Sequence, residues 1–443
     1  MAPRSALLLV SSLSACAAAR WAPDTFMISA WVDPVVPPSE FPAQYKVFAA
    51  AGFTTLLGGF GATTPEAVAA SLAAATAAGL EALPSACETA AGPGPNGTCV
   101  GLASPSLRGY QMWDEPSASD FPAVAAWAAS VATRAPGALR FINLLPNYAS
   151  AGALGTRDYA TYLAVYVATV RPDMLCFDHY PVFGPGSATA TDDNATMAGY
   201  VRNLGAVREV AVASGLPFYN FFGAMPFNGR ADVSEAQLRW QVWTSLAHGA
   251  AGVLYFCYWS PAGTDFAWGN ALMMPRAPLA GGAAGGYAPG PHYAQAARIN
   301  AKLAVLGNFL LRARSTAVFA ANGTGAGAAP APAPAAPVVA FGGAGAGPAW
   351  SLLVGAFDLP AAAAPYTRAL LLTNQDPDAP ALAALTLAPG AEAAAYELDA
   401  ASGTVVPALD DAPDLPGWQL ALEAGDARLL VFAGTSFPAR GRA

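Results

Sequence analysis

Asp114, Glu115 and Asp178 are the acids whose surroundings point to proton chemistry. The first two end the apolar run of LRGYQMWDEPSASDF, residues 107 to 121, and Pro116 follows them before a helical pattern begins. Asp178 closes a second apolar run, DMLCFDHYP, beside His179 and Tyr180. A carboxyl group at a strand end, crowded by rings such as Tyr110 and Trp113, is a candidate for a shifted pKa and hence for acid/base work. Successive strand side chains point to opposite sides, which predicts that only one of Asp114 and Glu115 faces the centre. The plainer alternative is that both acids merely open the next helix, where negative charge is favourable.

Such acids need strands to carry them, and the sequence supplies eight candidates. These are TFMISAWV, TTLLGGF, residues 81 to 84, the strand ending in Asp114, LRFINLL, DMLCFDHYP, PFYNFF and GVLYFCYW. Helical patterns alternate with them over about residues 40–51, 64–78, 121–134, 158–170, 199–214, 234–248 and 293–311. Thr64 and Pro65 supply an N-cap and first-turn proline for the second helix, and Gly79 closes it. Ser234 and Gln237 form a capping-box pattern. No helix is evident after the third strand, where a cysteine loop intervenes. The order and size predict an α/β fold, a (β/α)8 TIM barrel over residues 20–314. A doubly wound open sheet is the alternative, but no glycine-rich phosphate loop follows the first strand.

After Arg314 the composition changes. Residues 322–348 are rich in Ala, Gly and Pro and read as a flexible loop. The short alternating runs beyond them predict a small all-β sandwich over residues 315–443, whose default role is to pack against the barrel.

The strand ends gather Trp31 and Asp33, Asp114 and Glu115, Asn143 and Asn147, Asp178 with His179 and Tyr180, Asn220, and Tyr258 with Trp259. Carboxylates to move protons, amides to bond hydroxyls and rings to cover sugar faces are what a carbohydrate site requires. On these residues the chain resembles the large clan of (β/α)8-barrel glycoside hydrolases with an acid/base Glu after the fourth strand. Those families carry Asn-Glu-Pro where this chain has Asp114-Glu115-Pro116. The resemblance implies that Glu115 is the proton donor and that Trp259 is the aromatic platform under the sugar. It departs at Asp114, which replaces the usual Asn, and at the seventh strand, where the families place a nucleophilic Glu. Here the first acid is Asp232, and Glu235 belongs to the first turn of a capped helix. Asp178 is therefore the candidate second carboxylate, with Asp33 and Asp265 in reserve. The expected function is cleavage of O-glycosidic bonds in an extracellular glycan. A catalytically inactive glycan-binding barrel is one alternative, and a polysaccharide lyase using Tyr180 or His179 as base is another.

The remaining features bound the protein's setting. Residues 1–19 carry Arg4, an apolar stretch and small residues ending at Ala19, the pattern of a secretory signal peptide. Asn96, Asn194 and Asn322 each begin a glycosylation sequon. Cys87 and Cys99 bracket a Gly- and Pro-containing loop suited to a disulfide, whereas Cys176 and Cys257 sit in apolar runs. The expected destination is secreted or an endomembrane lumen. A net charge of -8 with no basic cluster argues against nucleic acid, and no apolar run after the leader is long enough for a membrane span. With only three histidines and neither CxxC nor HExxH, no metal site and no organic cofactor are expected.

Overall fold

The computed structural model describes residues 21–433, except 59, 86–87, 90–91, 94–98, 185–194, 262–268, 277–285, 325–328, 344–348, 390–394, 409 and 415–417. Residues 1–20 and 434–443 also lie outside the described set, so the leader does too. Cys87 of the expected disulfide, the sequons at Asn96 and Asn194, and Asp265 likewise fall outside it.

Eight strands form the framework of the first part: β1 Met27–Ala30, β2 Thr55–Leu57, β3 Glu81–Leu83, β4 Gly109–Asp114, β5 Leu139–Asn143, β6 Leu175–Asp178, β7 Phe218–Gly223 and β8 Gly252–Phe256. The pairs β1/β8, β8/β7, β7/β6, β2/β3 and β4/β5 are all parallel. Parallel bridges Ala82↔Leu107 and Ser85↔Gln111 link β3 with the β4 segment, and Leu144↔Phe177 links β5 with β6. Thr54 N donates to Ile28 O beside β1, and Glu81 N to Thr54 O. Sequential strands are thus neighbours, as short right-handed crossovers demand.

The crossovers are helices α1 Phe41–Ala50, α2 Pro65–Ala78, α3 Phe121–Arg134, α4 Tyr159–Val170, α5 Met197–Ser214 and α6 Glu235–Ala247, and α7 Pro291–Leu310 follows β8. Their ends follow the residues that cap them. Thr64 Oγ1 accepts from Ala67 N, and Gly79 closes α2 at φ 70°. Ser234 and Gln237 cap each other at the start of α6. Among the described residues between β3 and β4 there is no helix. β8 stops at Phe256, three residues before the expected Trp259.

Beyond α7 the chain forms two antiparallel sheets. One contains Arg314–Thr324, Ala349–Asp358, Tyr366–Asn374, Ala427–Ala433, Ala395–Leu398 and Val405–Pro407. The other contains Ala329–Pro330, Val338–Gly343, Ala381–Leu387 and Trp418–Leu422. One apolar cluster draws on both, with Val354, Leu370, Leu372 and Phe432 from the first and Phe341, Leu385 and Leu420 from the second. The reading of 322–348 as one flexible loop is corrected. Within it the first strand runs on to Thr324, and Val338–Gly343 is itself a strand. Composition hid it, because the strand is short and set among many small residues, and of its large apolar side chains Val338 and Phe341 are buried while Val339 is exposed.

This β part is seated on α6. A Cβ on Gly355 would stand 2.3 Å from Ala247 O, and one on Gly425 would stand 2.2 Å from Ala236 O. Trp240 Nε1 donates to Gln375 Oε1 at 3.2 Å, and Arg239 Nη2 donates to Ala424 O at 2.9 Å. Lys302 on α7 pairs with Asp426 at 2.8 Å. Among the described residues no helix is long and apolar enough to cross a membrane.

Candidate active site

The strand alternation decides which side chains reach the centre. At the C-terminal ends of the parallel strands lies a cavity of about 220 Å³ lined by Trp31, Asp114, Glu115, Asn143, Asp178, Tyr180, Phe221, Phe227 and Phe256. Asp114 ends β4, Asn143 ends β5 and Asp178 ends β6, while Phe221 lies on β7 and Phe256 ends β8.

Asp114 and Glu115 both line this cavity, although regular alternation allows only one of them inside. The reason is local. Glu115 has φ 49°, in the left-handed region, so the chain turns at the strand end and the second carboxyl swings back to the same space. Its N–H still donates to Asn143 O at 2.9 Å, which ties the turn to β5. A non-glycine residue held in this region costs roughly 1–3 kcal/mol, and such residues cluster at functional sites.

Asn143 organises the acids. Its Nδ2 donates to Asp114 Oδ1 and to Asp178 Oδ1, each at 3.0 Å. Glu115 and Asp178 face each other closely enough that each perturbs the ionisation of the other. Burial pushes Asp178 well above the usual carboxylate range, and the charges of Glu115 and Asp114 add to the effect. Glu115 is raised chiefly by burial and then by Asp114, with Asp178 acting in the opposite direction. Asp114 is raised by burial, partly offset by Asn143. Asp114 and Glu115 are open to the water of the cavity yet ringed by protein, which explains how exposed carboxyls experience desolvation.

The aromatic wall is continuous. Tyr180, Phe227 and Phe256 meet pairwise with ring centroids 4.8–5.1 Å apart. Trp31 stands edge-on to Phe60 at 5.2 Å and to Phe221 at 5.6 Å.

Several residues expected at the site lie elsewhere. Asn220 points away from the cavity, and its Nδ2 donates to Tyr200 Oη on α5 at 2.8 Å; Phe221, its neighbour in the alternation, faces inward. Tyr258 is buried against Phe48 and Phe53. Trp259 stacks on Tyr287 at 3.9 Å and is 3% exposed. Both follow from the early end of β8, which leaves Phe256 as its ring on the cavity. Asn147 N donates to Asn203 Oδ1 at 2.9 Å and Asn147 Nδ2 donates to Gly199 O, outside the cavity lining. His179 is fully buried between Tyr148 and Tyr200, with Nδ1 3.1 Å from Asn203 Oδ1, and burial lowers its pKa to about 4. Its ring is therefore neutral and removed from the acids' space.

Of the two reserve acids only Asp33 is among the described residues, and it, like Asp232 and Glu235, is engaged structurally. Asp33 Oδ1 accepts from Phe60 N at 3.2 Å and Gly61 N at 3.4 Å, tethering the loop after β2. Asp232 contacts His292 Nε2 at 2.8 Å, and Glu235 pairs with Arg298 at 2.6 Å. Phe221, Phe227 and Phe256 are the lining residues that sequence reasoning missed. For Phe221 the signal was the parity of the strand, since in PFYNFF the inward set is Tyr219 and Phe221, whereas Phe227 lies in the loop beyond it, where no periodicity points. Cys176 and Cys257 are free and buried, and Asn322 is exposed with Oδ1 bonded to Ser351 Oγ. Among the described residues no group of three His, Cys, Asp or Glu is arranged to hold a metal ion.

No family model and no curated protein matches the chain. Among solved structures the fold is similar to that of a family 51 α-L-arabinofuranosidase from Bifidobacterium longum, at 13% identity over 93% of this chain and 96% of that one, with a TM-score of 0.46. It is also similar to a β-galactosidase from the psychrophilic Marinomonas ef1, at 11% identity over 63% of this chain and a TM-score of 0.43; the match spans 60% of that protein's length. An endo-β-1,4-glucanase from Xanthomonas axonopodis pv. citri matches at 10% identity over 58% of this chain and 89% of its own, with a TM-score of 0.38.

Proposed function

We propose that the protein is a glycan hydrolase of the (β/α)8-barrel type with a β-sandwich appended, acting on O-glycosidic bonds outside the cytoplasm. The observation that carries this reading is the cluster of Asp114, Glu115 and Asp178, the first and last bridged by Asn143, in an aromatic-walled cavity at the C-terminal ends of parallel strands. Chemistry in parallel barrels is placed at that end. In this reading Glu115 protonates the glycosidic oxygen and later deprotonates water, and Asp178 is the second carboxylate. Trp31, Tyr180 and Phe256 cover the apolar faces of sugar rings, and Asp114 and Asn143 bond hydroxyls. The leader-like residues 1–19 and the three sequons support a secretory route.

A second reading has its own observation. The cavity lining takes a ring, Phe221, from β7 and no acid, although the resemblance would place a nucleophilic carboxylate on that strand. A site without that second carboxylate would bind a glycan without cutting it.

The test compares the secreted protein with Glu115→Gln on a broad panel of plant and algal glycans, with binding and release of reducing ends measured separately. The hydrolase reading expects release by the wild type and a loss of at least about a hundredfold in the folded variant. Binding without release by either protein establishes the second reading, and an ultraviolet-absorbing unsaturated product would indicate a lyase.

A further inference from the structure

Arg230 lies in the loop between β7 and α6, at the edge of the acid cavity. Its guanidinium carbon stands 4.9 Å from the ring centroid of Phe227, 5.2 Å from that of Phe183 and 5.6 Å from that of Tyr180. Two of these rings, Tyr180 and Phe227, also line the cavity. The loop is fixed by backbone bonds, Arg230 N to Phe227 O at 2.8 Å and Ala231 N to Val182 O at 3.1 Å, and by the bridge Phe183↔Arg230. The cation is therefore held in place by flat apolar faces.

Among the described residues no carboxylate lies within salt-bridge distance of Arg230, whereas Arg140, Arg298 and Arg428 each have one. Its Nε is buried without a hydrogen-bond partner, and its one side-chain hydrogen bond is a long one, Nη2 to Tyr148 Oη at 3.5 Å. Rings stabilise a guanidinium but do not occupy its in-plane donors, and an Arg with free donors forms strong bidentate bonds to planar or tetrahedral anions. A half-buried cation without a counterion beside a ligand cavity is thus half of an ion pair.

Resting on the hydrolase reading above, we propose that Arg230 receives an anionic substituent of the substrate, so that the glycan is an acidic one bearing uronate carboxylates or sulfate esters. The sugar ring lies against Tyr180 and Phe227, and its anionic group turns to the Arg230 donors.

The test is binding by titration calorimetry, using the full chain and four probes: trigalacturonate, its methyl ester, a sulfated galactan oligosaccharide and the same oligosaccharide desulfated. At low salt the wild type is expected to bind at least one charged probe roughly tenfold or more tighter than its neutral counterpart, a preference that shrinks as salt is raised. The pair that shows the preference identifies carboxylate or sulfate as the source. Arg230→Met is expected to bring the ratio of charged to neutral affinity close to one, and Arg230→Lys to retain part of it, which keeps the test valid if the Met variant folds poorly. Equal affinity for charged and neutral probes in the wild type, no binding of either charged probe, or an unchanged ratio in Arg230→Met would each overturn the proposal. Failure of the hydrolase reading is distinguishable: charge-selective binding without product release refutes hydrolysis alone, and release from neutral glycans without charge preference refutes the anion site alone.

Discussion

Asp178, at the end of β6, stands in register with Phe221 on β7, and both line the cavity. The backbone fixes that register, with His179 N donating to Phe221 O at 3.0 Å. The acid beside Glu115 therefore comes from β6, and β7 presents a ring to the cavity instead of a carboxylate.

Asp178→Asn tests that assignment. The substitution keeps the size of the side chain and the oxygen that accepts from Asn143, and it removes the ionisable carboxyl beside Glu115. Product release is expected to fall by about a hundredfold or more. Stability at neutral pH is expected to hold or rise, because the change deletes a carboxyl whose ionised form burial disfavours. Full activity in this variant would rule out Asp178 as the second carboxylate.

Asp33 supplies a pH prediction independent of the chemistry. Burial raises its carboxyl to about 7 from the usual 3.8, against the lowering effect of the Phe60 and Gly61 amides. A carboxyl with a raised native pKa binds its proton more tightly when folded, so its contribution is complete below the unfolded value and is lost as pH climbs through the native one. Between about pH 4 and 7 the wild type should lose up to about 4 kcal/mol that Asp33→Asn does not lose. Urea unfolding of both proteins at four pH values in that window measures the difference. Parallel stability curves would show that Asp33 titrates normally.

Phe256 and Trp259 divide the expected aromatic role between them. Phe256→Ala opens the cavity wall and should raise KM or weaken glycan binding by about tenfold with modest loss of stability. Trp259→Ala empties a buried stack on Tyr287 and should cost about 3–5 kcal/mol of stability. Melting curves and binding isotherms on both variants suffice, and the opposite pattern would restore Trp259 as the sugar platform.

Much of the fold was legible because its signals are local. Thr64, Gly79, Ser234 and Gln237 mark helix ends by their own chemistry, and the apolar runs of β4 to β8 announce buried parallel strands. Glu115 and Asp178 were legible as acids at strand ends, and the cavity brings them together. Direction was harder. Asn220 and Phe221 differ by one position, and the choice between them depends on where β7 pairs, which is a long-range property. Tyr258 and Trp259 were misplaced because the end of β8 is set by packing around Tyr287 and Phe48 rather than by any residue within the run. The joint presence of Asp114 and Glu115 required a backbone turn that no glycine advertised. Arg230 escaped notice because the rings around it come from Tyr180, Phe183 and Phe227, two separate stretches of chain.

The C-terminal sheets are not a portable module. Gly355 and Gly425 press strand and loop directly onto the backbone of α6 near its two ends, at Ala247 and Ala236. Midway along that helix, Gln241 exchanges paired hydrogen bonds of 3.0 Å with the backbone of Gly223, two residues beyond Phe221. A rigid path thus runs from the tail through one helix to the cavity wall. Cutting the chain after α7 would strip support from the part that holds the cavity and loosen the end of β7, so the boundary between the two parts cannot be moved without retuning the cavity.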